Sequence, residues 1–167
     1  DYHVWKACEK YKPKVTIIEF NPTVPTHIEF IQTPDPSLNQ GSSLMAMYLL
    51  AISKGYELVC VTSNNAFFVL KEYFPLFNIV SNKPEDLRSD DSMVTYLFLG
   101  YDGTVFLKGG KSLYWHGIKF NEKNVQLLPS CFRALPQNFS WFIRLLWKVY
   151  RWPFKLKRSI LKRLSSN

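Results

Sequence analysis

Polar side chains with acid–base or hydrogen-bonding capacity gather in one proline-rich stretch, residues 19–40. The stretch follows an apolar run that predicts a β-strand. Open α/β sheets bind ligands in the crevice outside the carboxyl ends of their strands, and loops this long within compact domains are usually functional. The candidates for substrate binding are Glu19, Asn21, His27, Asn39 and Gln40.

A purely structural role for the same loop stays open. Asn21-Pro22 and Asp35-Pro36 are ordinary turn dipeptides, and Glu19 can simply close the end of a strand. Histidine titrates near neutrality, but neither His27 nor His116 has a carboxylate or a nucleophile at a spacing that indicates general base chemistry. The sequence therefore identifies no catalytic residue.

The three cysteines, Cys8, Cys60 and Cys131, are widely separated. They lack CxxC or Cys/His spacing, which argues against a disulfide framework and a zinc site and favours a reducing, cytoplasmic compartment. Cys60 falls in an apolar run, and free cysteine is usually buried, so we expect it in the core. We predict no metal ligands.

Charge is distributed unevenly along the 167 residues, whose formal net charge is +8. Residues 124–167 hold nine basic side chains and no acidic one, which leaves a net charge of −1 for residues 1–123. A hydrophobic fraction of 47% is typical of a globular chain with a core. We expect a partial domain in residues 1–80, a linker with a small β appendage in 81–122, and a basic aromatic tail in 123–167.

The clearest structural unit lies in residues 41–70. Apolar side chains at helical spacing predict a buried helix in its first half. They are Leu44, Met45, Tyr48, Leu49, Ala51 and Ile52. Ser42 or Ser43 is suited to cap the helix start, and Gly55 is suited to end it. Two short apolar runs, residues 56–62 and 66–70, flank a Ser-Asn-Asn turn and predict a hairpin.

A further apolar run, residues 15–20, predicts a strand that precedes this unit. An almost unbroken apolar run is typical of a strand covered on both faces of a parallel or mixed sheet. We expect a central strand in the same sheet as the hairpin, with residues 66–70 antiparallel and lying between the other two strands. Strand, helix, strand and antiparallel strand form the closing half of a doubly wound α/β sheet.

Three phrases of residues 1–77 carry a family resemblance: DYHVWKACEKYKPKVTIIEFNPTVP, DPSLNQGSSL and KGYELVCVTSNNAFFVLKEYFPLF. They resemble the C-terminal half of class I S-adenosylmethionine-dependent methyltransferases, most closely those of the FkbM type. The resemblance implies a seven-stranded Rossmann-like sheet whose last two strands form a hairpin, with the final strand inserted antiparallel. It also implies methyl transfer from S-adenosylmethionine to an oxygen or other nucleophile of a small molecule or glycan.

In that family, the strands that hold the cofactor precede the segment that starts here at Asp1. The resemblance thus implies a fragment or remnant that is inactive alone, with a partner chain as one source of the missing half. None of the seven glycines forms a GxGxxG or similar turn between a strand and a helix. We therefore expect no useful affinity of this chain alone for S-adenosylmethionine, and an open edge on the strand of residues 15–20.

After an acidic linker or short helix around Pro84, three β-like runs alternate with turn signals. The runs are residues 94–100, 104–108 and 113–115, and the turns are Tyr101-Asp102-Gly103 and Gly109-Gly110. This pattern predicts a small β appendage.

The tail, residues 140–164, combines cations and apolar side chains at helical spacing and predicts a basic amphipathic helix. The cations are Arg144, Lys148, Arg151, Lys155, Arg158 and Lys162. The apolar stripe beside them is Phe142, Leu145, Val149, Trp152, Leu156 and Ile160. Pro153 is expected to kink the helix or to begin a second one.

Three interpretations of this tail remain open. The helix can dock on its own domain with a solvated basic face, or it can lie on an anionic membrane surface, as basic amphipathic helices do. Nucleic acid is the least favoured partner. The tail contains no uninterrupted run of about 18 apolar residues, so its sequence predicts no membrane span. The alternative to a methyltransferase fragment is thus a non-enzymatic, membrane-peripheral module, in a cytoplasmic protein.

Overall fold

The computed structural model describes the backbone of residues 1–164 and the side chains of residues 1–158. Two compact units are present: residues 1–96 with 109–119, and residues 97–108 with the segment from Phe120 onward. The predicted α/β class is confirmed as a mixed α/β chain with small antiparallel sheets and a C-terminal helix. The three-part domain division stays a prediction.

Four helices and seven strands make up the regular structure of the described residues. In chain order they are α1 (Tyr2–Ala7), β1 (Val15–Glu19), α2 (Leu44–Ser53), β2 (Tyr56–Val61), β3 (Asn65–Leu70), α3 (Pro84–Leu87), β4 (Thr95–Leu99), β5 (Val105–Gly109), β6 (Ser112–Leu113), β7 (Ile118–Lys119) and α4 (Trp141–Leu164). Short 3-10 helices cover Lys71–Phe77, Tyr114–His116, Glu122–Val125, Ser130–Phe132 and Pro136–Asn138.

The main sheet has the strand order β1-β3-β2, and β3 is antiparallel to both neighbours. β1 and β2 therefore run in the same direction, with α2 connecting them and β3 inserted between them. The prediction that residues 66–70 lie between the other two strands is confirmed. The prediction of a central strand at residues 15–20 is wrong for the described residues, because β1 has a neighbour on one side only.

The two faces of β1 differ in their cover. Ile18 packs into the core, whereas Val15 and Ile17 are 51% and 56% exposed. The expectation of cover on both faces is therefore wrong. An apolar run shows that a strand can be buried on both sides, but it does not supply the element that would cover the second side.

The core lies between the sheet and the helices α1 and α2. Its members are Trp5, Ile18, Phe20, Leu44, Met47, Leu50, Ala51, Tyr56, Leu58, Ala66 and Phe68. The Trp5 ring contacts the rings of Tyr56 and Phe68, at centroid distances of 5.7 and 5.2 Å. This contact attaches α1 to the strands that follow α2 in the chain.

The predicted helix in residues 41–55 is confirmed, with Ser43 as its cap and Gly55 just past its end. Its predicted buried face is partly wrong: Leu49 and Ile52 are each 43% exposed, whereas Met47 and Leu50 are buried. α2 is apolar around most of its circumference, so residue spacing alone does not fix which side meets the sheet.

Cys60 is exposed, contrary to the expectation of a core position. In β2, Leu58 pairs with Phe68, but Cys60 pairs with Phe67, which leaves Val59 as an extra residue. A β-bulge of this kind reverses the alternation of side chains, because one added residue moves every later side chain to the other face. Without the bulge, Cys60 would have followed Tyr56 and Leu58 into the core.

β4 and β5 form the hairpin predicted for the β appendage, whereas the third run differs from expectation. β6 ends at Leu113, and Tyr114–His116 is a 3-10 turn in place of the strand predicted at residues 113–115. Two hydrogen bonds to backbone carbonyls hold this segment. The Gly110 N–H donates to the Val94 carbonyl at 2.9 Å, and the Tyr114 side-chain hydroxyl donates to the Ser92 carbonyl at 2.9 Å.

In the second unit, α4 is the helix predicted for the tail. It runs through Pro153 without ending there, which excludes one of the two expected outcomes, a second helix that begins at the proline. The helix packs on the 3-10 segment Ser130–Phe132, and the contact is made by aromatic rings. Within the described part of the chain, no helix has the length and apolarity needed to cross a membrane.

Gly109 provides a test of how the segment 109–116 is held. Its φ is +103°, and a Cβ at this position would overlap the Val94 carbonyl oxygen; Gly55 has a φ of +82° and open space around it. We expect Gly55→Ala to lower the free energy of unfolding by about 1–2 kcal/mol, the cost of a left-handed alanine. Gly109→Ala should cost about 1–3 kcal/mol more, because backbone must also move. Urea denaturation of the two variants compares them, and equal costs would contradict the Val94 contact.

Candidate functional site

A cleft of about 710 Å³ opens in the first unit, at the carboxyl end of β1 and just before the start of α2. Four of the five residues predicted for substrate binding line it: Glu19, Asn21, Asn39 and Gln40. His27 does not line it; its side chain is exposed on a turn of the loop. The loop and the strand end thus come together as the strand-end rule predicts.

Other lining residues come from distant parts of the sequence. His3 lies on α1, Gln32 lies in the middle of the loop, and Trp115 and His116 lie on the 3-10 turn after β6. The sequence analysis considered His116 without assigning it a site, and it did not single out Gln32 or Trp115. Their spacing in the chain carries no signal, because only the fold brings them to one place.

Asn21 shapes the cleft wall with its own side chain. Its Oδ1 accepts hydrogen bonds from the Thr23 N–H at 2.9 Å and the Thr23 hydroxyl at 2.7 Å, and its Nδ2 donates to the Gln40 carbonyl at 2.5 Å. The Oδ1 bonds are an Asx turn, in which asparagine replaces a backbone turn partner. Asn21 therefore joins the two ends of the loop, and this use leaves little of its amide for a ligand.

Gln32 holds the far side of the loop in the same way. Its Oε1 accepts from the N–H groups of Gln40 and Gly41 at 2.9 and 2.6 Å, and its Nε2 donates to the Leu38 carbonyl at 2.9 Å. Its own carbonyl lies 2.7 Å from His3 Nε2. Since a carbonyl only accepts, Nε2 carries the proton, and Nδ1 is the acceptor in the neutral ring.

Two buried serines connect this loop to α2. The Ser43 hydroxyl accepts from the Ala46 N–H at 3.2 Å, which caps the helix, and from the Phe30 N–H at 2.9 Å. The Ser42 hydroxyl accepts from the Gln32 N–H at 3.1 Å. Both side chains are buried and hydrogen-bonded, so two buried hydroxyls fix the loop to the helix start.

Arg88 braces the first part of the loop. Its guanidinium donates to the carbonyls of Pro22 and Val24 at 2.6 and 3.0 Å and stacks on the Phe20 ring, 5.5 Å from the centroid. Burial lowers the pKa of this guanidinium from its ordinary value. Arginine stays charged at such sites, and its charge strengthens the bonds to the two carbonyls.

The side chains free to meet a ligand are acidic or neutral. Within residues 1–158, the side chains of Glu19, Asn39 and His116 have no protein hydrogen-bond partner, and the lining contains no lysine or arginine. Amides donate and accept hydrogen bonds, and carboxylate and imidazole groups can accept a proton. This chemistry suits a neutral, hydroxyl-bearing ligand and disfavours an anion. No cluster of potential metal ligands occurs among the described residues.

The cations predicted for the membrane surface lie on α4, in the second unit. Lys148, Lys155 and Arg158 are exposed. Arg144 donates to the carbonyls of Phe139 and Gln137, and Arg151 lies over the Trp147 ring at 5.6 Å. The side chain of Lys162 falls outside the described residues, as does that of Ile160 in the apolar stripe.

The role of Gln32 is tested by amide exchange. Gln32→Met keeps the side-chain length but removes three hydrogen bonds, each worth about 1 kcal/mol. We expect the N–H groups of Gln40 and Gly41 to exchange at least about fivefold faster, measured by NMR. Asn39→Ala is the matched control, since its side chain makes none of these bonds. Unchanged exchange in Gln32→Met would show that the loop is held elsewhere.

Comparisons of this chain with protein-family models, with curated proteins and with solved structures found no match.

Proposed function

We propose that the first unit is the C-terminal part of a class I methyltransferase fold, of the FkbM type, whose cleft receives the methyl acceptor. The observation that carries the proposal is the strand order β1-β3-β2, in which β1 and β2 run in one direction and β3 is inserted antiparallel between them. The resemblance in residues 1–77 implies this arrangement for the end of the sheet. An ordinary three-stranded meander would instead place the strands in sequence order.

The position of the cleft also supports the proposal. It lies outside the carboxyl end of β1, where open α/β sheets bind their ligands. The free carboxylate of Glu19 and the free amide of Asn39 suit the hydroxyl groups of a small molecule or glycan. In such a reaction, Glu19 would accept a hydrogen bond from the attacking hydroxyl and orient it.

The residues present do not fit S-adenosylmethionine. Gly41 is the one glycine between β1 and α2, but a Cβ at Gly41 would lie 3.2 Å from Asn21 Cβ, so a protein side chain already fills the space that a cofactor would need. Cofactor binding in this class of fold uses a glycine turn that lets the ligand approach the backbone. The proposal thus requires a preceding segment or a partner chain to hold the cofactor.

Calorimetric titration of the purified chain with S-adenosylmethionine tests whether this chain binds the cofactor by itself. We expect no saturable heat, because the described residues place no glycine cradle at the cleft. A dissociation constant in the micromolar range would contradict it and would place the cofactor in the cleft itself.

The proposed function is tested by sequencing the transcript upstream of the codon for Asp1 and by assaying the protein that the transcript encodes. We expect a reading frame continuous with the codon for Asp1 that encodes a glycine-rich strand–turn–helix segment. The protein made from that frame should transfer labelled methyl groups to a hydroxyl-bearing acceptor, and Glu19→Gln should lower its kcat, whereas His27→Gln should not. A frame without such a segment, together with no methyl transfer in the presence of partner proteins, would overturn the proposal.

A further inference from the structure

Over residues 141–158, whose side chains the structure describes, α4 has three distinct sides, and only one of them is packed. Trp147 and Tyr150, three residues apart, lie on the packed side. The cations follow a second side, and the apolar stripe of Phe142, Leu145, Val149, Trp152 and Leu156 follows a third. At 3.6 residues per turn, the stripe lies across the helix axis from Trp147 and Tyr150.

The packed side is an aromatic cluster within the second unit. The Phe132 ring lies 5.1 Å from Trp147 and 5.0 Å from Tyr150, and Phe139 lies 5.8 Å from Trp147, measured between centroids. Phe132 and Phe139 are buried. Contacts of this geometry are favourable beyond the area they bury. These aromatic contacts hold the helix on its own unit, and the residues of the apolar stripe take no part in them.

The stripe itself remains open to solvent. Its five described side chains are between 48% and 67% exposed. A continuous row of large apolar side chains on a surface marks an interaction site rather than ordinary surface composition. The row is mainly aliphatic and includes two rings, Phe142 and Trp152.

The charged side chains beside the stripe indicate which kind of partner can cover it. The exposed cations Lys148, Lys155 and Arg158 lie alongside it, and residues 124–167 contain no acidic side chain. A second copy of the same helix would bring like charges together. A bilayer with anionic headgroups meets both requirements, since acyl chains accept the stripe and phosphates accept the cations.

We infer that α4 docks on anionic membrane surfaces, with its apolar stripe in the acyl boundary and its cation row at the headgroups. Nucleic acid is the weaker candidate, because single-strand binding uses rings beside cations for base stacking. The stripe beside these cations holds three aliphatic side chains and two rings, a composition that suits acyl chains better than stacked bases. The inference is independent of the methyltransferase proposal.

Liposome flotation of the full chain tests the inference. We expect binding to vesicles of phosphatidylcholine mixed with phosphatidylserine and little binding to phosphatidylcholine alone. Lys148→Glu/Lys155→Glu should lower binding at least about 25-fold, at about fivefold for each lost cation. Lys123→Glu, on an exposed lysine outside α4, is the charge control and should change binding far less. Circular dichroism checks that each variant stays folded.

Insertion of the stripe is tested separately by quenching of tryptophan emission with lipids brominated on their acyl chains. We expect quenching that Trp152→Phe reduces and that Trp115→Phe, on an exposed tryptophan of the first unit, leaves unchanged. Leu145→Gln/Val149→Gln should weaken flotation, and Leu127→Gln, an exposed leucine outside α4, should not.

Equal binding to neutral and anionic vesicles, or binding to neither, would overturn the inference. Tighter binding to a single-stranded oligonucleotide than to anionic vesicles would assign the cations to nucleic acid instead. Self-association that the Leu145→Gln/Val149→Gln variant abolishes, measured by analytical ultracentrifugation, would assign the stripe to a second copy.

Discussion

The first unit depends on two adjacent buried hydroxyls at the start of α2. Ser43 caps the helix and, with the same oxygen, holds the Phe30 N–H, while Ser42 holds the Gln32 N–H. A backbone donor that loses its partner in a partly buried site is costly, so these bonds stabilise the position of the loop against the helix start. Because the cleft lies between that loop and the end of β1, its shape depends on this connection together with the bonds made by Asn21, Gln32 and Arg88.

Local features of this unit could be predicted from the sequence. The serine cap, Gly55 after the helix and the hairpin turn each depend on neighbours within a few residues. The expectation that Cys60 lies in the core is wrong because one bulged residue in β2 turns every later side chain of the strand to the opposite face. No residue type marks the bulge. The buried face of α2 was also misjudged, because a helix that is apolar on most sides takes its orientation from the sheet.

The candidate site likewise has residues that the sequence predicts and residues that it does not predict. Glu19, Asn21, Asn39 and Gln40 were predicted because they follow a strand, and strand ends are where such sheets bind ligands. Gln32 and His116 could not be predicted as lining residues. Hydrogen bonds to the backbone of residues 38–41 place Gln32, and the fold brings the 3-10 turn that carries His116 to the cleft. For α4, periodicity predicted the helix and its two stripes, but the packed side was set by Phe132 and Phe139, which lie outside any helical pattern.

The one-sided pairing of β1 has a geometric consequence for the cleft. Lys14 and Phe20 direct their backbone bonds towards β3, so the alternate residues Val15, Ile17 and Glu19 direct theirs outward. A strand that paired there in parallel would end at the same edge as β1. Its last residues would then stand beside Glu19, so any chain that extends the sheet would also complete the wall of the cleft.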